Sequence, residues 1–169
     1  LWATPTVAIH AALTGLHVTQ QDTVLDIGCG DGTTLIEAAR TYGCRAVGWE
    51  IHEPRADEAR RKVEEAGVSH LVTVHSGNAM KVLDSVLADG VTVVFLFLND
   101  NGLAKVLPYL RRSRNPLRVA SWLYPFRALT PTEKEAQQKT WVQTKPTHPD
   151  VKFPMFTLCF AGQSSPSVE

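Results

Sequence analysis

A glycine-rich turn between a short apolar run and a helix-like run most constrains what this chain can fold into. The run at Thr23–Ile27 has the β-branched and aliphatic composition of a buried strand, and Thr34–Arg40 has the composition of a helix. Between them, glycines stand at alternate positions, Gly28, Gly30 and Gly32. Glycine lacks the Cβ that would keep a ligand away from the backbone, so this turn predicts backbone N–H groups arranged around a ligand.

The spacing of the glycines distinguishes two classes of ligand. A dinucleotide fingerprint, G-x-G-x-x-G/A, would place its third small residue at position 33, which is Thr33 in this chain. Here the third glycine is Gly32, and an acid, Asp26, stands two residues before the first. The resulting D-x-G-x-G-x-G resembles the first motif of class I S-adenosylmethionine-dependent methyltransferases. A tight turn that binds nothing would contain similar glycines, so the motif needs a second signal.

An acidic residue at the end of the next strand supplies that signal. The apolar run Ala46–Trp49 ends in Glu50, where a carboxylate can accept hydrogen bonds from both hydroxyls of a ribose. The two features together predict S-adenosylmethionine as the cofactor. A nucleotide-binding or ligand-free relative is the alternative.

Apolar runs and helix-like segments alternate along the chain, which predicts an α/β fold with a Rossmann-like, doubly wound, mostly parallel sheet. Seven strands are predicted, at 23–27, 45–51, 71–75, 91–98, 119–124, 139–144 and 153–161, with the last two forming an antiparallel hairpin at the sheet's edge. Helices are predicted at 34–42, 54–66 and 103–112, and a first helix begins with Thr4 as N-cap and Pro5 in its first turn and ends at Gly15.

The composition is that of one globular domain. The 169 residues are 44% hydrophobic and 20% charged, and a chain of this length fits a single domain. We therefore predict one domain at 1–163, followed by a frayed tail at 164–169.

The charge balance counts against a large nucleic-acid partner. Lys and Arg number 17, Asp and Glu number 17, and the formal net charge is zero, whereas nucleic-acid-binding domains are typically basic. The cluster of Arg111, Arg112, Arg114 and Arg118 is predicted to be a solvated helix end and loop rather than a phosphate site.

The cysteines and the hydropathy give the expected setting. Cys29, Cys44 and Cys159 are odd in number and lack metal-ligand spacing, which predicts free thiols in an intracellular protein without a metal site. No apolar run approaches 18 residues, so no membrane span is predicted. The chain begins at Leu1 rather than Met, so the sequence leaves open whether a targeting segment precedes it and whether the compartment is the cytoplasm or the mitochondrion.

Several stretches together resemble a small family of protein-lysine methyltransferases. The eukaryotic members of that family are mitochondrial and modify ATP synthase subunit c or the adenine nucleotide translocator, and archaeal relatives modify many protein lysines. The stretches that carry the resemblance are Trp2-Ala3-Thr4-Pro5, the Leu25–Gly32 segment, Ala46–Glu50, Phe95–Leu98 and Tyr124-Pro125-Phe126.

The resemblance implies a role for each part of the site. Asp26 and the glycine turn would hold the methionine part of the cofactor, Glu50 the ribose and Asn78 the adenine. The implied cofactor-binding residues are Thr4, Asp26, Gly28, Cys29, Gly30, Asp31, Gly32, Glu50, Ile51, Asn78, Ala79 and Phe97.

The chain departs from the family at identifiable points. Asn78 replaces the usual acid, although an amide can also donate and accept hydrogen bonds at the adenine. A Pro-Pro-Tyr-type motif does not follow the fourth strand, which argues against a nucleic-acid or glutamine amino-group methyltransferase. The membrane-associated N-terminal segment of the mitochondrial members is not part of this sequence.

The predicted reaction is methyl transfer to an amine, with a protein lysine as substrate. Asn99 or Tyr124 is predicted to orient the amine, and an apolar mouth would lower the pKa of the lysine by desolvation. The candidates for that lining are Trp2, Phe97, Trp122, Tyr124 and Phe126. A methyltransferase of small molecules or RNA and a non-catalytic cofactor-binding module are the alternatives.

Overall fold

A mixed sheet with helices on both faces forms the frame of the protein in the computed structural model, which describes residues 3–145, 147–148 and 150–163. The strands are β1 (Thr23–Ile27), β2 (Arg45–Glu50), β3 (Val72–Ser76), β4 (Val93–Leu96), β5 (Leu117–Trp122), β6 (Gln138–Gln143) and β7 (Lys152–Phe160). The helices are α1 (Thr6–Gly15), α2 (Thr33–Tyr42), α3 (Glu53–Glu65), α4 (Leu83–Ala88), α5 (Asp100–Arg111) and α6 (Pro131–Ala136), with a 3₁₀ turn at Ala79–Lys81. The predicted tail at 164–169 and the predicted lining role of Trp2 lie outside the described residues.

The strand order confirms the predicted fold. The seven strands run in the order β3-β2-β1-β4-β5-β7-β6. Neighbouring strands from β3 to β5 are parallel, and β7 is antiparallel to both β5 and β6. The chain winds outward in one direction from β1 and in the other from β4, so the carboxyl ends of these two strands border the crevice in which such sheets bind ligands.

The helices pack on both faces of the sheet and form a separate hydrophobic core on each face. Residues of α1, α2 and α3 pack with Val24, Phe95 and Trp122 on one face. Residues of α4 and α5 pack with Leu25, Val94 and others on the opposite face. Alternate residues of the central strands therefore face opposite cores, which explains why these strands are continuously apolar.

Two predicted strands extend two residues too far at their carboxyl ends. β4 ends at Leu96 rather than Leu98, and β5 ends at Trp122 rather than Tyr124. Leu123 still donates its N–H to the carbonyl of Pro154 in β7 at 3.0 Å, but its left-handed φ of 71° turns the chain out of the sheet. The apolar character continues past both strands because Phe97 lines the cleft after β4, while Leu98 and Leu123 pack against the two cores.

The first helix begins later than predicted, and two short helices are additional. Pro5, not Thr4, is the N-cap of α1, and no side chain caps this helix. Pro5 has an extended backbone, with φ −60° and ψ 140°, so the helix begins one residue later and Thr4 lies outside its cap. The short helices α4 and α6, of six residues each, were not predicted.

None of the described helices is both long enough and apolar enough to cross a membrane.

Candidate active site

The glycine turn after β1 is tied to the end of β2 by its own backbone. The N–H groups of Gly28 and Cys29 both donate to the carbonyl of Trp49, at 2.8 and 3.0 Å. Gly28, Gly30 and Gly32 have φ values of 78°, 56° and 80°. Residues that carry a Cβ rarely adopt this left-handed region. The alternating glycines of the sequence therefore correspond to three left-handed residues in one loop.

The Glu50 side chain is hydrogen-bonded to the backbone of this loop. Its carboxylate is buried, and one oxygen accepts the N–H of Gly30 at 2.9 Å while the other accepts the N–H of His52 at 3.0 Å. The backbone carbonyl of Glu50 also accepts the N–H of Gly77, in the loop after β3, at 2.9 Å. Each carboxylate oxygen keeps a second acceptor position, so the side chain is held in place and can still accept hydrogen bonds from a ligand.

Asp26 lies under the same loop with only 4% of its surface exposed. Burial raises the pKa of its carboxyl to about 7, the Thr34 side chain partly opposes this, and the charges of Glu50 and Asp31 add to the rise. A cation bound beside Asp26 would favour the ionised form. The base of the cleft therefore suits a positively charged ligand group.

The Asp31 carboxylate is held by three hydrogen bonds from neighbouring groups. Its carboxylate accepts the N–H of Thr33 at 3.2 Å, the Thr33 hydroxyl at 2.8 Å and the ammonium of Lys62 at 2.6 Å. Burial raises the pKa of the Asp31 carboxyl, but the hydrogen bonds from Lys62 and Thr33 outweigh this and hold it below its ordinary value. Cys29 is buried beside it, and burial raises the pKa of its thiol, so the sulfur stays protonated.

A cleft at the carboxyl ends of β1 and β4 brings seven of the predicted cofactor-binding residues together. These are Thr4, Asp26, Gly28, Cys29, Gly30, Asp31 and Phe97. Thr4 reaches the cleft because the chain before α1 crosses the glycine turn, and Phe97 reaches it because β4 ends one residue earlier. Gly32 adjoins the cleft as the N-cap of α2, and a Cβ there would lie 3.1 Å from that of Ala59 in α3.

Three further predicted cofactor-binding residues, Ile51, Asn78 and Ala79, lie at the neighbouring strand ends rather than in this cleft. Ile51 follows Glu50 directly and exposes 71% of its surface, which is unusual for a large aliphatic side chain. Asn78 and the buried Ala79 follow β3, and the Asn78 side chain accepts the N–H of Met80 at 3.0 Å. The amide nitrogen of Asn78 is not used in that bond, so it remains a donor at this edge.

The predicted catalytic residues Asn99 and Tyr124 follow β4 and β5. Asn99 is exposed and caps α5 by accepting the N–H of Gly102 at 3.0 Å. Tyr124 exposes 37% of its surface and is not among the residues that line the cleft. Trp122 and Phe126, also predicted to line the substrate mouth, are 2% and 3% exposed and belong to the two cores.

Residues that sequence reasoning missed also line the cleft: Ala3, Ile9, Thr33, Thr34, Arg55 and Phe95. Thr34 faces the carboxyl of Asp26, and the Arg55 side chain reaches over Gly30. Thr34 could have been recognised from its place at the start of the helix after the glycines. Arg55 stands in a run of mixed charges that resembles a solvated helix face.

Taken together, these groups fit a ligand that carries a ribose and positive charges. The doubly anchored carboxylate of Glu50 and the buried Asp26 meet beside the glycine turn. The N–H groups of Gly28, Cys29 and Gly30 do not surround a ligand as predicted, because they already donate to the carbonyl of Trp49 and the carboxylate of Glu50. Among the described residues, no group of three or more His, Cys, Asp or Glu side chains could hold a metal ion.

The chain matches the family model described as the ANTKMT methyltransferase domain over residues 26–133. It is 34% identical over 132 residues to a protein-lysine N-methyltransferase of Saccharolobus islandicus, covering 77% of this chain and 80% of that protein. It is 34% identical to a tRNA (guanine-N(7)-)-methyltransferase of a Shewanella species over 92 residues, which cover 51% of this chain and 38% of that protein.

Solved structures give the same fold. An RNA methyltransferase from Salinibacter ruber, in complex with S-adenosyl-L-homocysteine, has a TM-score of 0.78 and 25% identity and covers 99% of both chains. The O-methyltransferase TomG from Streptomyces achromogenes, in complex with SAM, has a TM-score of 0.67 and 22% identity and covers 96% of this chain and 82% of that one.

Proposed function

The chain belongs to the family of ANTKMT methyltransferase domains and is an S-adenosylmethionine-dependent methyltransferase, and we propose that it methylates the side-chain amine of protein lysines. The observation that carries the proposal is the similarity to the archaeal protein-lysine N-methyltransferase, which extends over most of both chains. A shared fold alone would not select this substrate, because one fold hosts many reactions.

The cofactor site in this proposal is the cleft around the glycine turn. Glu50 accepts hydrogen bonds from the ribose hydroxyls, because its oxygens keep acceptor positions beside the two backbone N–H groups that fix them. Asp26 lies under the positively charged methionine part, and the exposed side chain of Ile51 packs on the adenine, with Asn78 at its edge. When bound, S-adenosylmethionine supplies an electrophilic methyl group on a sulfonium.

The substrate amine enters beside the loops after β4 and β5. Phe97 and Tyr124 surround it with aromatic surface, which displaces water and lowers the pKa of the incoming ammonium. Asn99 orients the neutral amine through its side-chain oxygen, which keeps one acceptor position while it caps α5. Because the cofactor is already activated, these residues need only to bind, desolvate and align the amine.

RNA is the second candidate substrate. The structure from Salinibacter ruber that covers 99% of this chain is that of an RNA methyltransferase. The arginine cluster gives limited support to an RNA substrate, because three of its members form ion pairs. These pairs are Arg111–Glu133, Arg112–Asp84 and Arg118–Asp22. Paired guanidinium groups offer less charge to a phosphate backbone than free ones do.

A labelled-methyl experiment separates the two candidates. The protein is incubated with S-adenosylmethionine carrying a trideuteromethyl group, together with either the protein extract or the total RNA of its own cells, and the products are analysed by mass spectrometry. We expect the label on lysine side chains, and its absence in a Glu50→Ala variant. A label found on RNA nucleotides and on no lysine would contradict the proposal and favour the RNA candidate.

A further inference from the structure

Arg55 places a positive charge over the glycine turn. It belongs to the first turn of α3, directly after the end of β2, and its side chain is half-buried. One terminal nitrogen, Nη2, lies 2.7 Å from the position that a Cβ on Gly30 would occupy. Because only a hydrogen atom stands at that position, the guanidinium rests directly against the backbone that borders the cleft.

The charged surroundings of Arg55 are mainly acidic. Asp26 and Asp31 line the same cleft, and Glu50 is bonded to the backbone of Gly30. The Asp31 carboxylate already has an ion pair with Lys62 at 2.6 Å. Arg55 is the one cationic side chain among the described residues that line the cleft.

The side chain of Arg55 also differs from its neighbours on α3. Arg60 is paired with Glu53 and Asp57, and Arg61 is paired with Glu65. No hydrogen bond or ion pair joins the guanidinium of Arg55 to another residue in the described part of the chain. Its donors are therefore open to a ligand, although two carboxylates, those of Asp26 and Asp31, line the same cleft.

The cofactor carries charges of both signs at its methionine end. Its sulfonium and ammonium suit the acidic wall formed by Asp26 and Asp31, but its carboxylate would be repelled by the same wall. A carboxylate in this cleft therefore needs a cation, and the planar guanidinium fork matches a carboxylate with two parallel hydrogen bonds.

We propose that Arg55 is the residue that binds the carboxylate of the methionine part of S-adenosylmethionine. This inference rests on the assignment of the cleft as the cofactor site in the proposed function. It makes Arg55 a cofactor-binding residue contributed by α3, opposite the glycine turn.

Two ligands that differ only at the amino-acid end test the proposal. S-Adenosylhomocysteine contains the carboxylate, and 5′-methylthioadenosine has the same nucleoside and a thioether but no amino-acid group. Both are titrated calorimetrically into the wild-type protein and into Arg55→Met, with Arg61→Met as the matched control on an exposed part of the same helix. The unfolding temperature of each variant is measured in parallel.

We expect Arg55→Met to bind S-adenosylhomocysteine about ten- to a hundredfold more weakly than the wild type, because a charge-assisted pair is lost. Its affinity for 5′-methylthioadenosine and the affinities of Arg61→Met should equal those of the wild type. Arg55→Lys should bind S-adenosylhomocysteine with an affinity between those of the wild type and Arg55→Met, since an ammonium restores the charge without the bidentate geometry of the guanidinium.

Two results would overturn the inference. One is an unchanged affinity of Arg55→Met for S-adenosylhomocysteine, and the other is an equal loss for both ligands, which would indicate a structural role for Arg55. If the wild type binds neither ligand, the cofactor-site assignment itself fails, and the inference fails with it. If the wild type binds S-adenosylhomocysteine, the affinity of Arg55→Met for this ligand tests the role of Arg55 separately from the cofactor-site assignment.

Discussion

Asp26 is a buried acid whose protonation couples the stability of the protein to pH. Burial raises the pKa of its carboxyl from 3.8 to about 7 in the folded protein, while the unfolded chain has an ordinary carboxyl. Between these values the folded state binds more protons than the unfolded state, so the free energy of unfolding falls as the pH rises through this interval. Below this pH interval Asp26 does not reduce the free energy of unfolding, and above it the reduction is complete.

Replacement of Asp26 by Asn should therefore stabilise the protein in a pH-dependent way. We expect Asp26→Asn to gain on the order of 2 kcal/mol of unfolding free energy relative to the wild type between pH 5 and pH 8. Urea unfolding of both proteins at the two pH values measures this gain. Parallel pH profiles for the two proteins would contradict the assignment of a raised pKa to Asp26.

Gly48 is needed because the glycine turn and α2 approach β2 too closely for a side chain. A Cβ at Gly48 would lie 2.6 Å from the Sγ and 2.8 Å from the Cβ of Cys29, and it would also collide with the end of Leu35. We expect Gly48→Ala to destabilise the protein by about 1–3 kcal/mol through overpacking and to weaken binding of S-adenosylhomocysteine by displacing the turn.

Denaturant unfolding and calorimetric titration measure the two effects of Gly48→Ala. Gly15→Ala is the control, since nothing lies within 4 Å of a Cβ at the end of α1. If Gly48→Ala were as stable as the wild type and bound the ligand equally well, the close packing of β2 on the turn would be wrong.

At the scale of elements, a polar network joins four segments at the end of the sheet opposite the cleft. Asp22, before β1, accepts the N–H of Thr19 at 2.8 Å and the hydroxyl of Thr92, before β4, at 2.7 Å. It also pairs with Arg118 of β5, whose Nη1 donates to the carbonyl of Leu16, after α1, at 2.6 Å. The network fixes the starts of neighbouring strands relative to the end of a helix.

Removal of Asp22 should weaken the frame without altering the cofactor site. We expect Asp22→Ala to cost about 3 kcal/mol of unfolding free energy, because it leaves Arg118 without its partner in a partly buried place. Asp57→Ala, which removes an exposed pair with Arg60, should cost at most about 1 kcal/mol. Urea unfolding gives both values.

The folded Asp22→Ala protein should bind S-adenosylhomocysteine as tightly as the wild type, because the network and the cleft lie at opposite ends of the strands. A clear loss of affinity in this variant, measured by calorimetric titration, would contradict this separation of stability from binding.

At the scale of the whole molecule, periodicity and turn residues predicted the seven strands and the terminal antiparallel hairpin, because the strands of the parallel part are apolar runs separated by helix-like segments. The ends of β4 and β5 were predicted too late because apolar residues continue past each strand, Phe97 into the cleft and Leu123 onto a core. The helix α4 was missed because six residues give too short a pattern. The helix α6 could have been predicted from Thr130 and Glu133, which form a capping box.

The candidate site was predicted only where local sequence determines geometry. The glycine turn and Glu50 belong to neighbouring segments with characteristic spacing, so a motif can reveal them. Arg55 could not be recognised in this way, because its place in the cleft depends on how α3 packs across the turn. The burial of Trp122 and Phe126 was not foreseen, because composition does not distinguish a core aromatic residue from an exposed one.

The anchoring of Glu50 is the feature on which the cofactor site depends most directly. We expect Glu50→Gln to bind S-adenosylhomocysteine at least about tenfold more weakly than the wild type, because the amide loses the charge and an acceptor for the ribose. Glu53→Gln, three residues away and exposed, is the matched control and should bind like the wild type. Calorimetric titration of the three proteins, with their unfolding temperatures, measures this. Tight binding by folded Glu50→Gln would contradict the assignment of this cleft as the cofactor site.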